Sequence, residues 1–401
     1  MKKILKVIGK LLCALLLVLV LAVLVTGISP IYRFPAPRPF SGPDIFNPYA
    51  KLDSAFGWKR SVFHVHTRVK GPFPPNECPQ WPAWVDSVYR NDFGYEIVTF
   101  SNHNELTRHP TDSSLQVNVY EQGYSPFKFH KLVFGSRKVV HWDPLLPVLA
   151  SQRQAELNYL GAGSDFIQFN HPLRTLCTGK SQLEKLSGYR IMELDSGIST
   201  ENEYWDWALS AGHYSFGLAN DDLHHPEDPW CIAVRCNFLC TPSGQYADLK
   251  RVLLEGGYYA MRVPDWGNEG WEVKYARNRS LPSVTAIGLR DSTVYIALSQ
   301  SASRIVVNGQ DHAVLAEASE AQSLEYQFKS TDSYARITAY FPDGAVIYTN
   351  PWARYDAASQ DTPYTDNPHQ VNWLLTLLYN LLVLLAVMGV LRLMGKLFKK
   401  K

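Results

Sequence analysis

Ser61-Val62-Phe63-His64-Val65-His66 is a short apolar run that ends in two histidines. On a strand, residues two apart share a face, so His64 and His66 present their imidazoles to one point. The same layout recurs: YEIVTFSNH (95–103) ends at His103, FIQFNHP (166–172) holds His171, and HYSFGLAND (213–221) leads into Asp222 and His224. KLVFG (131–135) and YRIMELDSG (189–197) are further strand-like runs. Helical stretches lie between them: PAWVDSVYRND (82–92), PLLPVLASQRQAELNYL (144–160), ENEYWDWALSAG (201–212) and YADLKRVLLEGG (246–257). Strand and helix in alternation predict an α/β unit with a mainly parallel sheet or barrel, whose carboxyl strand ends converge on one face.

Beyond about Pro264 the pattern turns to strands alone, from SVTAIGLRD (283–291) to AVIYTN (345–350), with hairpin signals at Asn308-Gly309 and Asp343-Gly344. A small antiparallel β-sandwich is expected there. The Gly-rich GAGSD (161–165) precedes a strand, where a dinucleotide fingerprint requires a helix, and reads as a turn.

The 401 residues are 46% hydrophobic and 19% charged, with 39 basic and 37 acidic side chains. This excludes disorder as the main theme, and the balanced charge argues against nucleic acid as a partner. Both ends read as membrane signals. An uncharged run, Leu11–Ile28, follows Lys2, Lys3, Lys6 and Lys10, and a second, Trp373–Leu391, precedes Arg392, Lys396, Lys399, Lys400 and Lys401. Each approaches the roughly 20 residues a spanning helix needs. The positive flanks place both termini in the cytoplasm and the segment from about Ser29 to Val371 outside it, making the lipid bilayer a partner. A cleaved signal peptide is the alternative for the first run, although no A-x-A-like site follows it. The expected divisions are an anchor (1–29), an extended arm (30–60), a barrel (61–263), a sandwich (264–355), a linker (356–371), a second spanning helix (372–394) and a basic tail (395–401).

Ten of the twelve histidines fall inside the α/β stretch. His64, His66, His103, His130, His171 and His224, with the carboxylates Glu121 and Asp222, form a mixed donor set that suits zinc, manganese or iron. Arg174 is a candidate fork for a phosphate oxygen, and Glu193 a candidate partner for a ligating imidazole. His225 is expected to face solvent, while His109 and His141 have no place in the series. Cys231, Cys236 and Cys240 lie in an alternating strand-like stretch and read as small apolar residues rather than a zinc cluster; one disulfide among the cysteines outside the first apolar run is left open.

The ordered series His64-Val65-His66-Thr67, Ser101-Asn102-His103-Asn104, Glu121, His130, Asn170-His171-Pro172 and Asp222-Leu223-His224 resembles the polymerase and histidinol phosphatase (PHP) family over about residues 61–263. The resemblance implies a distorted seven-stranded β/α barrel that binds two or three divalent metals and hydrolyses phosphoesters. It implies that His64, His66, Glu121 and Asp222 hold one metal, that Glu121 bridges to a second on His130 and His171, and that His103 and His224 belong to a third. Two positions depart from the family pattern. Asn102 stands where the family usually has Asp, and Arg68 to Pro75 lacks the family's Asp or His, a third-metal ligand, unless Glu77 takes that part. The expected function is a membrane-anchored metal-dependent phosphoesterase in which Glu121, Asp222 and Arg174 carry the chemistry on an unidentified ester. The aromatic-rich loop from Gly71 to Trp84 would shape a lid or rim. The alternative is a metal-containing surface module, without catalysis, that recognises envelope glycan or a protein.

Overall fold

Seven short strands carry or flank the expected ligands: Lys59–Val62 (β1), Ile97–Val98 (β2), Val119–Gln122 (β3), Lys131–Phe134 (β4), Phe166–Phe169 (β5), Ile191–Ser196 (β6) and Phe216–Asn220 (β7). The structure is a computed structural model that describes residues 2–71, 76–197, 199–200, 202–365 and 368–399. Among these residues the architecture is mixed α/β, with two apolar helices at the ends of the chain.

In one sheet the order is β7-β6-β5-β4-β3. Its β7/β6 and β6/β5 pairs are parallel, whereas β5/β4 and β4/β3 are antiparallel. These strands are buried along their whole length, as strands covered on both faces must be. Phe63, Leu132, Ile167, Phe169, Met192, Leu194 and Leu218 meet in the resulting core. The other large sheet holds β2 and β1 at one end, followed by Arg235–Leu239 (β8) and Tyr258–Arg262 (β9).

Two single parallel bridges connect the edges of these sheets, Val65 with Leu223 and His103 with Glu121. At the first, the amides of Asp222 and His66 donate to the carbonyls of His64 and Leu223, each at 3.1 Å; at the second, the Asn104 amide donates to the Glu121 carbonyl at 2.8 Å. All four joined segments carry expected ligands.

The structure departs from the sequence reading in several places. The strand carrying Glu121 lies in a polar stretch that shows no clear alternation. The third helix begins at Ala150 rather than Pro144, because Pro144 and Pro147 cannot supply helical amide donors. After Pro264 a helix, Trp271–Arg279, interrupts the expected run of strands. The strands beyond it do not form a separate sheet, since Val346–Thr349 pairs antiparallel with β9 and continues its ladder into Tyr334–Tyr340, Thr293–Asn308 and Val284–Arg290. Alternation assigns faces but not neighbours, so this continuity was not readable in advance. Both hairpin signals fall at turns between antiparallel strands. All six cysteines are free, and Cys236 is buried on β8.

A buried ion pair ties the α/β stretch to the strands after it. Asp206, on helix Asn202–Ser210, accepts from Arg336 Nε and the Tyr334 hydroxyl, each at 2.8 Å, and pairs with His312. Burial alone would raise the Asp206 pKa, but Arg336 and His312 hold it below the ordinary 3.8. The folded state therefore binds the proton less readily than the unfolded chain. The stability it supplies is complete above about pH 3.8 and is lost as the pH falls below that value. Asp206→Asn, which strands a buried guanidinium, is expected to cost about 3–5 kcal/mol near neutral pH. Denaturation of both proteins in detergent checks this: the gap between them should narrow as the pH drops below about 4.

Candidate metal centre

The strand ends bring the expected ligands around one carboxylate. Glu121 is buried, and five imidazoles approach it: His64 Nε2 and His171 Nε2 lie 3.3 and 3.2 Å from Oε1, His130 Nδ1 3.1 Å from Oε1, and His66 Nε2 and His103 Nε2 3.1 and 2.8 Å from Oε2. Asp222 Oδ1 stands 3.1 Å from His64 Nε2 and 3.3 Å from His66 Nε2. His64, His66, Glu121 and Asp222 thus place one donor atom each within 4.8 Å of one another, and His103, Glu121 and His130 do the same.

Two of these residues have left-handed backbones unusual for side-chain-bearing residues, His171 at φ +26° and Asp222 at φ +50°. The His171 amide donates to Glu193 Oε2 at 2.9 Å, which helps hold the turn. Glu193 Oε1 lies 2.9 Å from His64 Nδ1, so the other ring nitrogen of His64 faces the cluster. Sequence reasoning assigned no role to Asn170, yet its amide donates to Glu121 Oε1 at 2.9 Å while its own oxygen accepts from the Leu132 amide and Gln168. Asn220 likewise reaches Glu193 at 3.1 Å. Asn102 serves as a brace: its side chain bonds the Thr67 amide and the hydroxyls of Thr67 and Thr107, away from the cluster.

A third group forms at the rim. Glu77 Oε2 lies 3.4 Å from His103 Nε2, 3.6 Å from His66 Nδ1 and 3.9 Å from His224 Nε2, and His66, Glu77 and His224 form a further metal-competent set. Arg174 pairs through Nη1 with the outer oxygen of Asp222, at the cluster rather than on the open surface. His225 is exposed beside Glu227, His109 sits 3.9 Å from Asp86, and His141 lies against Tyr124. Within the Gly71–Trp84 loop, residues 72–75 lie outside the described residues; Trp81 is exposed with the Arg68 guanidinium 5.1 Å above its ring. A cleft of about 640 Å³ runs past residues that directly follow two ligand motifs, including Arg68, Lys70, Glu105 and Arg108.

Electrostatics and hydrogen bonding agree on what the cluster lacks. His64 Nε2, His66 Nε2, Glu121 Oε2 and Asp222 Oδ1 are buried without hydrogen-bond partners among the described residues, although they crowd together. Burial would raise the Glu121 pKa, but His103, His64 and His130 hold it well below the ordinary carboxylate value. Burial would lower His64 and His66, but Asp222 and Glu121 raise His64 well above its ordinary value and His66 to about 9. Burial takes His130 down to about 3 against the pull of Glu121, which leaves it a neutral donor. Two buried carboxylates thus call for positive charge at the centre, and a divalent ion meets that need with the donor types present. The residues fit such an ion.

No family model matches the chain, and no curated protein matches it. Among solved structures, it is similar to a two-domain protein from Bacteroides vulgatus containing a predicted PHP-like metal-dependent phosphoesterase, at 13% identity and a TM-score of 0.39, over 79% of this chain and 99% of that one. So remote a likeness transfers no chemistry, which must be argued from the side chains themselves.

Removing the Asn170 amide takes away one of the hydrogen bonds that orient the Glu121 carboxylate. Asn170→Ala is expected to weaken metal binding about 10 to 100-fold, with the secondary structure unchanged. Competition against a chelating dye, with circular dichroism in parallel, measures both.

Proposed function

We propose that the chain is a membrane-anchored, metal-dependent hydrolase acting on phosphoesters. The observation that carries this reading is the set of buried, unpartnered nitrogen and carboxylate atoms around Glu121. His64, His66, Glu121 and Asp222 would hold one divalent ion, and Glu121 with His103, His130 and His171 a second. Glu77 with His66 and His224 supplies donors for a third, in place of the ligand missing after His66. Such ions, when bound, supply Lewis acidity that draws charge from phosphoryl oxygens and readies a water for attack at phosphorus.

The chain's own groups do the rest. Glu121 keeps the two ligand sets together. Arg174, held by Asp222 at the edge of the cluster, offers a guanidinium to a phosphate oxygen, and the cleft past the two ligand motifs carries three cations, Arg68, Lys70 and Arg108, against one carboxylate, Glu105, a balance suited to an anionic substrate. Glu193 fixes the orientation of His64 and the turn at His171. The order of ladders and bridges around β1 to β7 supports a ring of seven strands, closed by Val65 with Leu223 and His103 with Glu121, whose carboxyl ends meet at the site.

Anchoring rests on two helices, Ile4–Thr26 and Trp373–Phe398, long and apolar enough to span a bilayer. Contacts favour retention of the first. The Tyr379 hydroxyl donates to the Gly27 carbonyl at 2.9 Å, the Asn380 amide to Ser29 at 3.1 Å, and the Leu145 amide to Thr26 Oγ1 at 3.2 Å. A cleaved leader would forfeit some or all of these. The central segment would then lie outside the cytoplasm, with both termini inside.

Elemental analysis of chain purified without chelator is expected to find two or more equivalents of transition metal; less than one would count strongly against the reading. Kinetics on a generic phosphomonoester and phosphodiester should rank two variants. Glu193→Gln is expected to lose roughly 10 to 100-fold, and Glu121→Gln far more, because it removes charge shared by two ligand sets. Equal, modest losses, or no turnover by the metal-loaded parent, would favour a metal-containing binding module over the enzyme.

A further inference from the structure

We propose that the ester cleaved at this centre is carried by a membrane lipid, and that segment 171–178 is the rim over which its headgroup enters. The inference rests on the hydrolase reading above and adds the substrate class.

The rim is tied to the ends of the two apolar helices through residues 145–153. Gln152 Nε2 donates to the Gly27 carbonyl at 3.3 Å and lies 3.2 Å from the Tyr379 hydroxyl; Ser151 Oγ accepts from the Tyr32 amide at 3.0 Å. With the Thr26–Leu145 bond, these place residues 145–152 against the ends of both helices. Buried Arg153 extends the connection to the site. Its Nε donates to the Pro147 carbonyl at 2.8 Å and its Nη2 to the Leu176 carbonyl at 2.6 Å. The Leu176 amide in turn donates to Phe127 at 2.8 Å, and Ser125 Oγ to the Leu145 carbonyl at 3.0 Å.

The same rim faces two chemistries. His171 and Arg174 turn inward, onto Glu121 and Asp222. Leu173 and Leu176 turn outward and are 49% and 55% exposed; on the neighbouring loop Leu146, Val148 and Leu149 are 38%, 48% and 40% exposed. Five apolar side chains are thus left uncovered where the chain adjoins its membrane helices, and a bilayer interface is the apolar partner those helices bring to that place. Lys128, exposed and bonded through its carbonyl to Thr175, adds a cation for lipid phosphates. Leu176 lies five positions after His171, so their Cα atoms are at most about 18 Å apart. In this arrangement the phosphate headgroup would enter toward the centre while its acyl chains remain in the bilayer against Leu173 and Leu176. For a lipid phosphomonoester, one water is consumed, the bond from phosphorus to the lipid oxygen breaks, that oxygen takes a proton, and lipid alcohol and inorganic phosphate result.

Two measurements on the full, metal-loaded chain test this. In phosphatidylcholine vesicles carrying a lipid photoreactive at headgroup depth, adducts mapped by mass spectrometry are expected on residues 144–149 and 171–178. Adducts confined to the two helices would overturn the proposal whether or not the enzyme is active. In mixed micelles, phosphate release from dioleoyl phosphatidic acid is compared with release from glycerol 3-phosphate. The ratio of kcat/KM is expected to favour the lipid by at least about tenfold, the effect of burying roughly two methylenes, and to fall about as much in the double variant Leu173→Gln, Leu176→Gln. Cleavage of the soluble ester with no preference for the lipid would overturn the lipid assignment and leave the hydrolase standing. Cleavage of neither overturns the lipid phosphomonoester assignment, and if the generic phosphomonoester and phosphodiester are also left intact, the hydrolase reading falls with it.

Discussion

A carboxylate removed from water must be compensated, and Glu121 is approached by five imidazoles drawn from four separate segments. None of those segments neighbours all the others in sequence. Their meeting point exists only because the ends of β1 to β7 and the turns beyond them close on one another through the two bridges that link the sheets. The charge at the centre and the convergence of the strands are therefore one constraint seen from two sides. If the strand ends splayed apart, a bare carboxylate would be left in a low-dielectric interior; without the carboxylate, the imidazoles would have no common partner.

Around that centre the polar residues form a graded support. Asn170 bonds to Glu121, Glu193 to His64, and Asn220 to Glu193, so these contacts help set carboxylate rotation and ring orientation. Asn102 braces the turns that carry His66 and His103. The left-handed backbones of His171 and Asp222 show that the turns bend to suit the side chains. Asp206 and Arg336 perform a comparable service farther away, by fixing the carboxyl-side strands against the helical layer.

How much of this was legible depends on whether a residue's role is local. The histidines at strand ends could be found because alternation and position along a strand are properties of a few consecutive residues. Glu121 was named as a candidate donor, but the strand that carries it, Val119–Gln122, was not among the expected strands. Asn170 sat inside a quoted motif, but its function depends on a carboxylate 49 positions away, which no window of sequence contains. The carboxyl-side strands were visible as strands, yet their union with β9 was not, because edge partners are chosen by the assembled fold. Helix starts followed proline chemistry more strictly than apolar patterning suggested, as Ala150 shows.

The extended arm runs back along the far end of the chain. Tyr32–Arg33 pairs with Gln370–Val371, Asp44–Phe46 pairs with Trp352–Tyr355, and Asn47 accepts from the Trp352 indole at 3.0 Å. The earliest residues to leave the ribosome after the first helix thus find their partners among the last. Maturation cannot be completed stepwise during synthesis: the arm meets Ser151 and Ala211 on the way, but its strand partners come only after some three hundred residues, and the fold closes when the polypeptide is nearly finished. Such a chain depends on whatever shields its open edges in the interval, and a truncation near residue 350 would harm the beginning of the molecule as much as its end.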